Sequence, residues 1–285
     1  MTNKTLMKIS GSVLVLFLFS VAGCTTLKPV SDLSDKAVES LEIYKEIPAT
    51  YNDFCIERCQ FNLIRRNQVV RDTAVSCDCR VFKSADRATT KVYHALVAYF
   101  KSLGDLSAGD LTNYDTRSLN EALTEGKFGS LTIDKNTVTA YSALGKLVME
   151  AFTNGYRKQK LRQVIERANP NIQILLQVFK TSIGNLEMEL SFQKERNFAL
   201  YSELLMEKLT GYDKVRLTTD YYREIDKLTL KQQQLNTYST GLVTIAEGHQ
   251  KLFDNRNKIK ANEIKEALGK YAAELQDLIV DFRKL

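Results

Sequence analysis

Apolar residues recur every three or four positions through most of this chain, and that period predicts helices rather than strands. Leu33, Ala37, Leu41 and Tyr44 predict a first helix over 32–46, stopping before Pro48. A second starts near Thr50 and carries Phe54, Cys55, Cys59 and Leu63; a third starts near Ser84 with Tyr93, Leu96, Phe100 and Leu103 along one side, ending near 104–109. Residues 110–131 are rich in Gly, Asn, Asp, Ser and Thr, with room for one short helix over 118–124. They read as a connection, either a boundary between two parts or a loop over one continuous core.

The clearest pattern lies in the C-terminal half. Residues 134–168 carry Tyr141, Leu144, Val148, Ala151, Leu161, Val164 and Ile165; Asn169 and Pro170 then read as the N-cap and first turn of another helix. That helix carries Ile172, Leu176, Phe179, Ile183, Leu186 and Leu190 and is expected to end at Gly211. Tyr221, Ile225, Leu228, Gln232, Leu235, Tyr238, Leu242, Ile245, His249 and Leu252 mark the next, and Ile264, Leu268, Tyr271, Leu275, Leu278 and Phe282 the last. An average spacing of 3.5 belongs to helices packed lengthwise at small crossing angles. The expected fold is all-α: an elongated antiparallel helical bundle over 132–285, with helices of roughly 35 to 40 residues, about 50 to 60 Å long. An N-terminal helical part over 32–109 adjoins it.

Composition supports this picture. The chain has 285 residues, three prolines and no tryptophan, and proline scarcity beside abundant Leu, Glu, Lys and Gln favours long helices. Forty basic and 34 acidic side chains are interleaved along its length. They describe solvated helix faces and not a nucleic-acid footprint, so nucleic acid is not an expected partner.

The first residues have a different pattern. Lys4 and Lys8 precede the apolar run Val13–Phe19, and small residues lead into Cys24. That order is a secretory signal whose apolar core is too short to stay as a membrane span. Val21, Ala22, Gly23 and Cys24 closely resemble the lipobox of bacterial lipoproteins. The resemblance implies a signal peptide over 1–23, cleavage before Cys24, and a diacylglyceryl group on its sulfur, usually with a third acyl chain. Two or more chains anchor stably. Residues 24–31 would form a polar tether, holding the body within roughly 25 Å of the lipid. By the enterobacterial sorting pattern an aspartate after the lipidated cysteine favours the inner membrane. Thr25 stands there, which implies the outer membrane, with the body in the periplasm. Residues 156–173 and 245–259 also resemble segments of uncharacterised helical envelope lipoproteins, a likeness that assigns no activity.

With Cys24 acylated, Cys55, Cys59, Cys77 and Cys79 remain in an oxidising compartment, where disulfides are expected. Cys55 and Cys59 share a helix face, whereas Cys77 and Cys79 share a face only in extended chain. Bridges between the two pairs are therefore expected, nested as Cys55 to Cys79 and Cys59 to Cys77 if the segments run antiparallel. A tetrathiolate zinc site is the competing reading, and the single residue between Cys77 and Cys79 fits it poorly. No metal or cofactor is expected.

Candidate chemistry is sparse. Gly145 and Lys146 do not make a P-loop, and no zinc-protease helix, serine-hydrolase elbow or dinucleotide fingerprint occurs. His94 lies beside its helix stripe. His249 occupies a seam position between Ile245 and Leu252, as a buried hydrogen-bonded residue or as a pH sensor or ligand contact. A hairpin turning near Asp213 would set Gln232 opposite the stretch from Gln193 to Asn197, giving a polar layer that fixes register or a place where a ligand or partner enters. Arg157, Lys158, Lys160, Arg162 and Arg167 form the densest basic cluster, a solvated surface or a contact for anionic lipid. The expected function is a non-catalytic helical scaffold or adaptor held at the membrane by its lipid, with a protein partner in the envelope. Binding of a small apolar ligand or lipid is the alternative, and an enzyme is the least expected class.

Overall fold

A computed structural model describes residues 27–47, 49–71, 77–108, 135–152, 157–259 and 261–285. They are all-α, with no strand among the described residues. The helices are α1 (Lys28–Glu42), extended by a 3-10 turn at Ile43–Glu46, α2 (Tyr51–Arg65), α3 (Arg80–Ala108), α4 (Lys135–Phe152), α5 (Arg157–Leu205), α6 (Gly211–Asp254) and α7 (Asn262–Lys284). The segments assigned to the signal peptide, Cys24 and the helix over 118–124 lie outside the described residues.

The longest pair is the antiparallel hairpin of α5 and α6, with 49 and 44 residues. At 1.5 Å per residue they extend about 73 and 66 Å. Both exceed the expected length, α5 because it does not break at Asn169. Pro170 lies inside the helix. An interior proline removes one hydrogen bond and costs about 3 kcal/mol. Against that, Leu161, Ile165, Ala168, Ile172, Leu175 and Leu176 form one buried stripe across the proline. Each large side chain in such a stripe is worth about 1.5 to 3 kcal/mol, so keeping the stripe on one continuous helix outweighs the lost bond. The described part of α4 runs to Phe152, and α5 is helical from Arg157 through Pro170.

The first helix begins earlier than its apolar pattern indicates. Lys28 to Ser31 form its first turn, with Pro29 placed where a missing N–H costs nothing. Val30, Leu33, Ala37 and Leu41 are fully buried against α3, α6 and α7. Close approach to α6 uses two glycines one heptad apart. A Cβ on Gly241 would stand 2.9 Å from Ser40 Oγ, and one on Gly248 would stand 3.1 Å from Leu33 Cδ1. Glycine is unfavourable inside a helix by about 1 kcal/mol, so contact distance accounts for its presence here. Salt bridges from Arg283 to Glu39 and Glu46 join the last helix to the first.

One hydrophobic core runs through all of these helices, from Val30 in α1 to Phe282 in α7. The helices on either side of 109–134 share it. A separate small cluster surrounds the cysteines, with Ile56 and Phe82. There Cys55 bonds Cys79 and Cys59 bonds Cys77, the nested pairing, with Cα separations of 5.8 and 6.0 Å. These bonds tie α2 to the start of α3. Thr50 and Asp53 close a capping box at the start of α2, and Asp86 of α3 accepts from the backbone N–H groups of Tyr51 and Asn52. Tyr51 Oη also donates to the Ser182 carbonyl, and Arg196 and Arg65 pair with Glu57 and Glu203. The stapled helix thus contacts the C-terminal half of α5, from Ser182 to Glu203.

Candidate functional site

His249 is fully buried on α6. Its Nε2 lies 2.6 Å from the Tyr99 hydroxyl and its Nδ1 lies 2.8 Å from Asn169 Oδ1. Asn169 donates to Gln250 Oε1 at 2.9 Å, and Gln250 donates to Asp254 Oδ1 at 2.8 Å. One assignment of protons satisfies the row: Tyr99 donates to Nε2, and the ring donates through Nδ1–H to Asn169. The imidazole is therefore neutral, and burial pushes its pKa down to about 3. Asn169, read from sequence as a helix cap, instead turns its amide inward to complete this network. Both ring nitrogens are occupied within the core, so the site is built to hold α3, α5 and α6 together.

The polar interruption of the α5–α6 seam lies elsewhere. Lys194 Nζ donates to Gln232 Oε1 at 2.7 Å, and Gln232 Nε2 approaches Ser191 Oγ at 3.4 Å. The register expected from a turn near Asp213 is the one observed. Asn197 is buried and Gln193 half-buried beside this layer. His249 is not part of it, being 17 residues along α6, or about 26 Å away.

Of the basic cluster, the side chains of Lys160, Arg162 and Arg167 are described, and their settings differ. Arg162 is exposed, while Arg167 pairs with Glu150 at 2.8 Å in a solvent-exposed bridge worth at most about 1 kcal/mol. The Lys160 ammonium is shielded from solvent with no hydrogen-bond partner among the described residues. Arg157 opens α5 and Lys158 is next to it; their side chains lie outside what is described.

The exposed apolar surface gathers at the far end of the hairpin. No residue of α6 before Leu228 is buried, and Asn197 is the last buried residue of α5. Beyond these points α5 and α6 run on as a two-helix arm. Tyr221 packs on Tyr201 and Phe198 within it, with ring centroids 5.3 and 6.5 Å apart. Met206 is 88% exposed and Tyr212 75%, and Phe198, Val215 and Tyr222 are each more than half exposed. The inner seam does not mark this arm, because its period continues through Tyr221 unchanged. The available signal was a second apolar row, Tyr212, Val215 and Tyr222, three and seven residues apart, off the stripe that faces α5.

The turn at the end is short. Leu204, Leu209 and Leu217 line a cleft there, and its rim carries Glu207, Asp213, Asp220 and Arg216. Thr210 caps α6, its Oγ1 accepting from the backbone N–H of Asp213.

Among the described residues no group of three His, Cys, Asp or Glu side chains is placed to hold a metal ion, and no helix is long and apolar enough to cross a membrane. The four cysteines are consumed in disulfides. Comparison of the chain with protein-family models, with curated proteins and with solved structures finds no match.

Proposed function

We propose that this chain is a lipid-anchored envelope protein acting as a non-catalytic helical scaffold or adaptor, with the arm as its presenting element. The reading draws on the lipobox-like residues before Cys24 and on one observation of the fold. The described chain begins at the base of the bundle, where Leu33 meets Gly248, whereas the exposed arm ends at Gly211. The 37 residues of α6 between those levels separate the two by about 55 Å. A protein held at its N-terminus would therefore carry the exposed aromatic surface away from the anchor. The disulfide-tied α2 braces the arm along α5, which fixes its direction, and a partner in the envelope docks on it. The outer membrane, with the body in the periplasm, is the address that Thr25 favours.

Two variants test the reading. Cys24→Ser should leave an unacylated chain that no longer fractionates as a mature lipoprotein; normal processing of that variant removes the anchor from the account. A photoreactive side chain in place of Tyr222 should form adducts in intact cells that one in place of Val280, on α7, does not. Equal labelling from both positions would deny the arm any special role.

A further inference from the structure

The cleft at the end of the arm is a continuation of the face on which the body packs. On α6, Gly241 and Gly248 meet α1, and steps of seven residues along the same row lead to Asp220 and Asp213 at the cleft. On α5, Ser182, Arg196 and Glu203 meet α2, again seven or fourteen residues apart, and the row runs beside Leu204 and Glu207. The cleft lies just past the point where α2 stops, since Arg65 at the end of α2 pairs with Glu203.

The loop after α2 is the chemical complement of this cleft. Asn67 adopts a left-handed backbone, φ 53°, and the amides of Asn67 and Gln68 close onto the Ile64 and Leu63 carbonyls, so the helix ends in a fixed turn. The loop then presents Val69, which is 100% exposed, between Arg66 and Arg71. Arg65, immediately before this loop, bonds Glu203 at 3.0 Å, one residue from Leu204 of the cleft. An apolar knob flanked by guanidinium groups and an apolar cleft rimmed by Glu207, Asp213 and Asp220, the last with Arg216 and Arg223 at 4.0 and 3.6 Å, thus lie at one end of the molecule.

We propose that this end is a self-association surface, in which Val69 of one copy enters the Leu204, Leu209 and Leu217 cleft of a second. Arg66 and Arg71 face Glu207 and Asp220 across the contact, and two-fold symmetry returns it. The proposal rests on the reading of the arm end as a docking surface, and makes a second copy of this chain the occupant. It does not depend on acylation of Cys24.

The test uses the full chain in detergent, with mass measured by sedimentation from about 1 to about 100 µM, the range in which small interfaces associate. Wild type should pass from monomer to dimer, and added salt should weaken the dimer. Arg66→Glu with Arg71→Glu, and separately Glu207→Lys with Asp220→Lys, should each raise the dissociation constant by about tenfold or more. Mixing these two variants should restore the dimer, because each acidic loop then meets a basic cleft and each basic loop an acidic one. A wild type that stays monomeric, variants that dimerise like wild type, or a mixture that does not recover would each overturn the proposal. Adducts to other proteins from position 222 without self-association would retain the scaffold and discard the second copy.

Discussion

The lower and upper parts of the α5–α6 hairpin are made of the same helices, yet only one of them is a core. Below Asn197 and Leu228, the residues Ile183, Leu186, Leu190, Leu235 and Leu242 are buried, with α1, α3 and α7 completing the packing. Above those levels the seam continues through Tyr201 and Tyr221, but apolar side chains also turn outward and no residue of α6 is buried. A seam is enough to continue two helices. A third layer is what makes their remaining faces inaccessible, and where that layer stops, the side chains become available to other molecules.

The contrast can be broken with acidic substitutions. Leu186→Asp, at a site 2% exposed, buries an unpaired carboxylate and should cost on the order of 3 kcal/mol or more in urea unfolding. Val215→Asp in the arm is expected to change stability by no more than about 0.5 kcal/mol. A large effect at Val215 would mean that the arm is covered after all.

Next in size is the staple that braces the arm. Each disulfide closes a loop of 24 or 18 residues, worth about 3 kcal/mol in the chain-entropy account. Cys59→Ala with Cys77→Ala should lower stability by roughly that amount or less, since Cys55–Cys79 still closes a nested loop. Near-UV signals from the tyrosines of the arm should alter with it if α2 aims the hairpin; unaltered signals would separate the staple from the arm.

The buried histidine sharpens the comparison through pH. His249 is neutral in the fold and takes up a proton more readily when unfolded, because burial depresses its pKa from 6.5 to about 3. Its contribution is fully present above pH 6.5 and is lost as pH falls from there towards 3, on the order of 1 kcal/mol per unit at most. His249→Gln should be less stable at pH 8, where Tyr99 and Asn169 lose their partner, and the gap to wild type should narrow on acidification. A constant gap between pH 8 and pH 4 would contradict a neutral buried ring.

The smallest effect is expected at the boundary between the two regions. Lys194→Leu with Gln232→Leu replaces a half-buried hydrogen-bonded pair by apolar groups, which should be within about 1 kcal/mol of neutral. What should suffer is register, read from disulfide trapping of cysteines placed across the hairpin. A single trapped register in the variant would show that the layer is not needed to set it.

Much of this was legible in the chain. Heptad spacing placed α5, α6 and α7, and face geometry placed the cysteine pairs, because both depend on local periodicity alone. Even the opposition of Lys194 and Gln232 could be reached from a hairpin turn. Pro170 was misread because a local proline rule was weighed without the buried stripe on either side of it. The partners of His249 were out of reach, since Tyr99 and Asn169 are 150 and 80 residues away and lie on other helices. The membership of α1 in the core depends on which helix its stripe meets, and a stripe does not name its partner.

Amide hydrogen exchange along α6 of the full chain tests the division of the hairpin most directly. Residues 211–227 should exchange about 100-fold faster or more than residues 235–252, because two helices without a covering layer open locally at lower cost than a shared core. Equal protection along the whole of α6 would contradict the account.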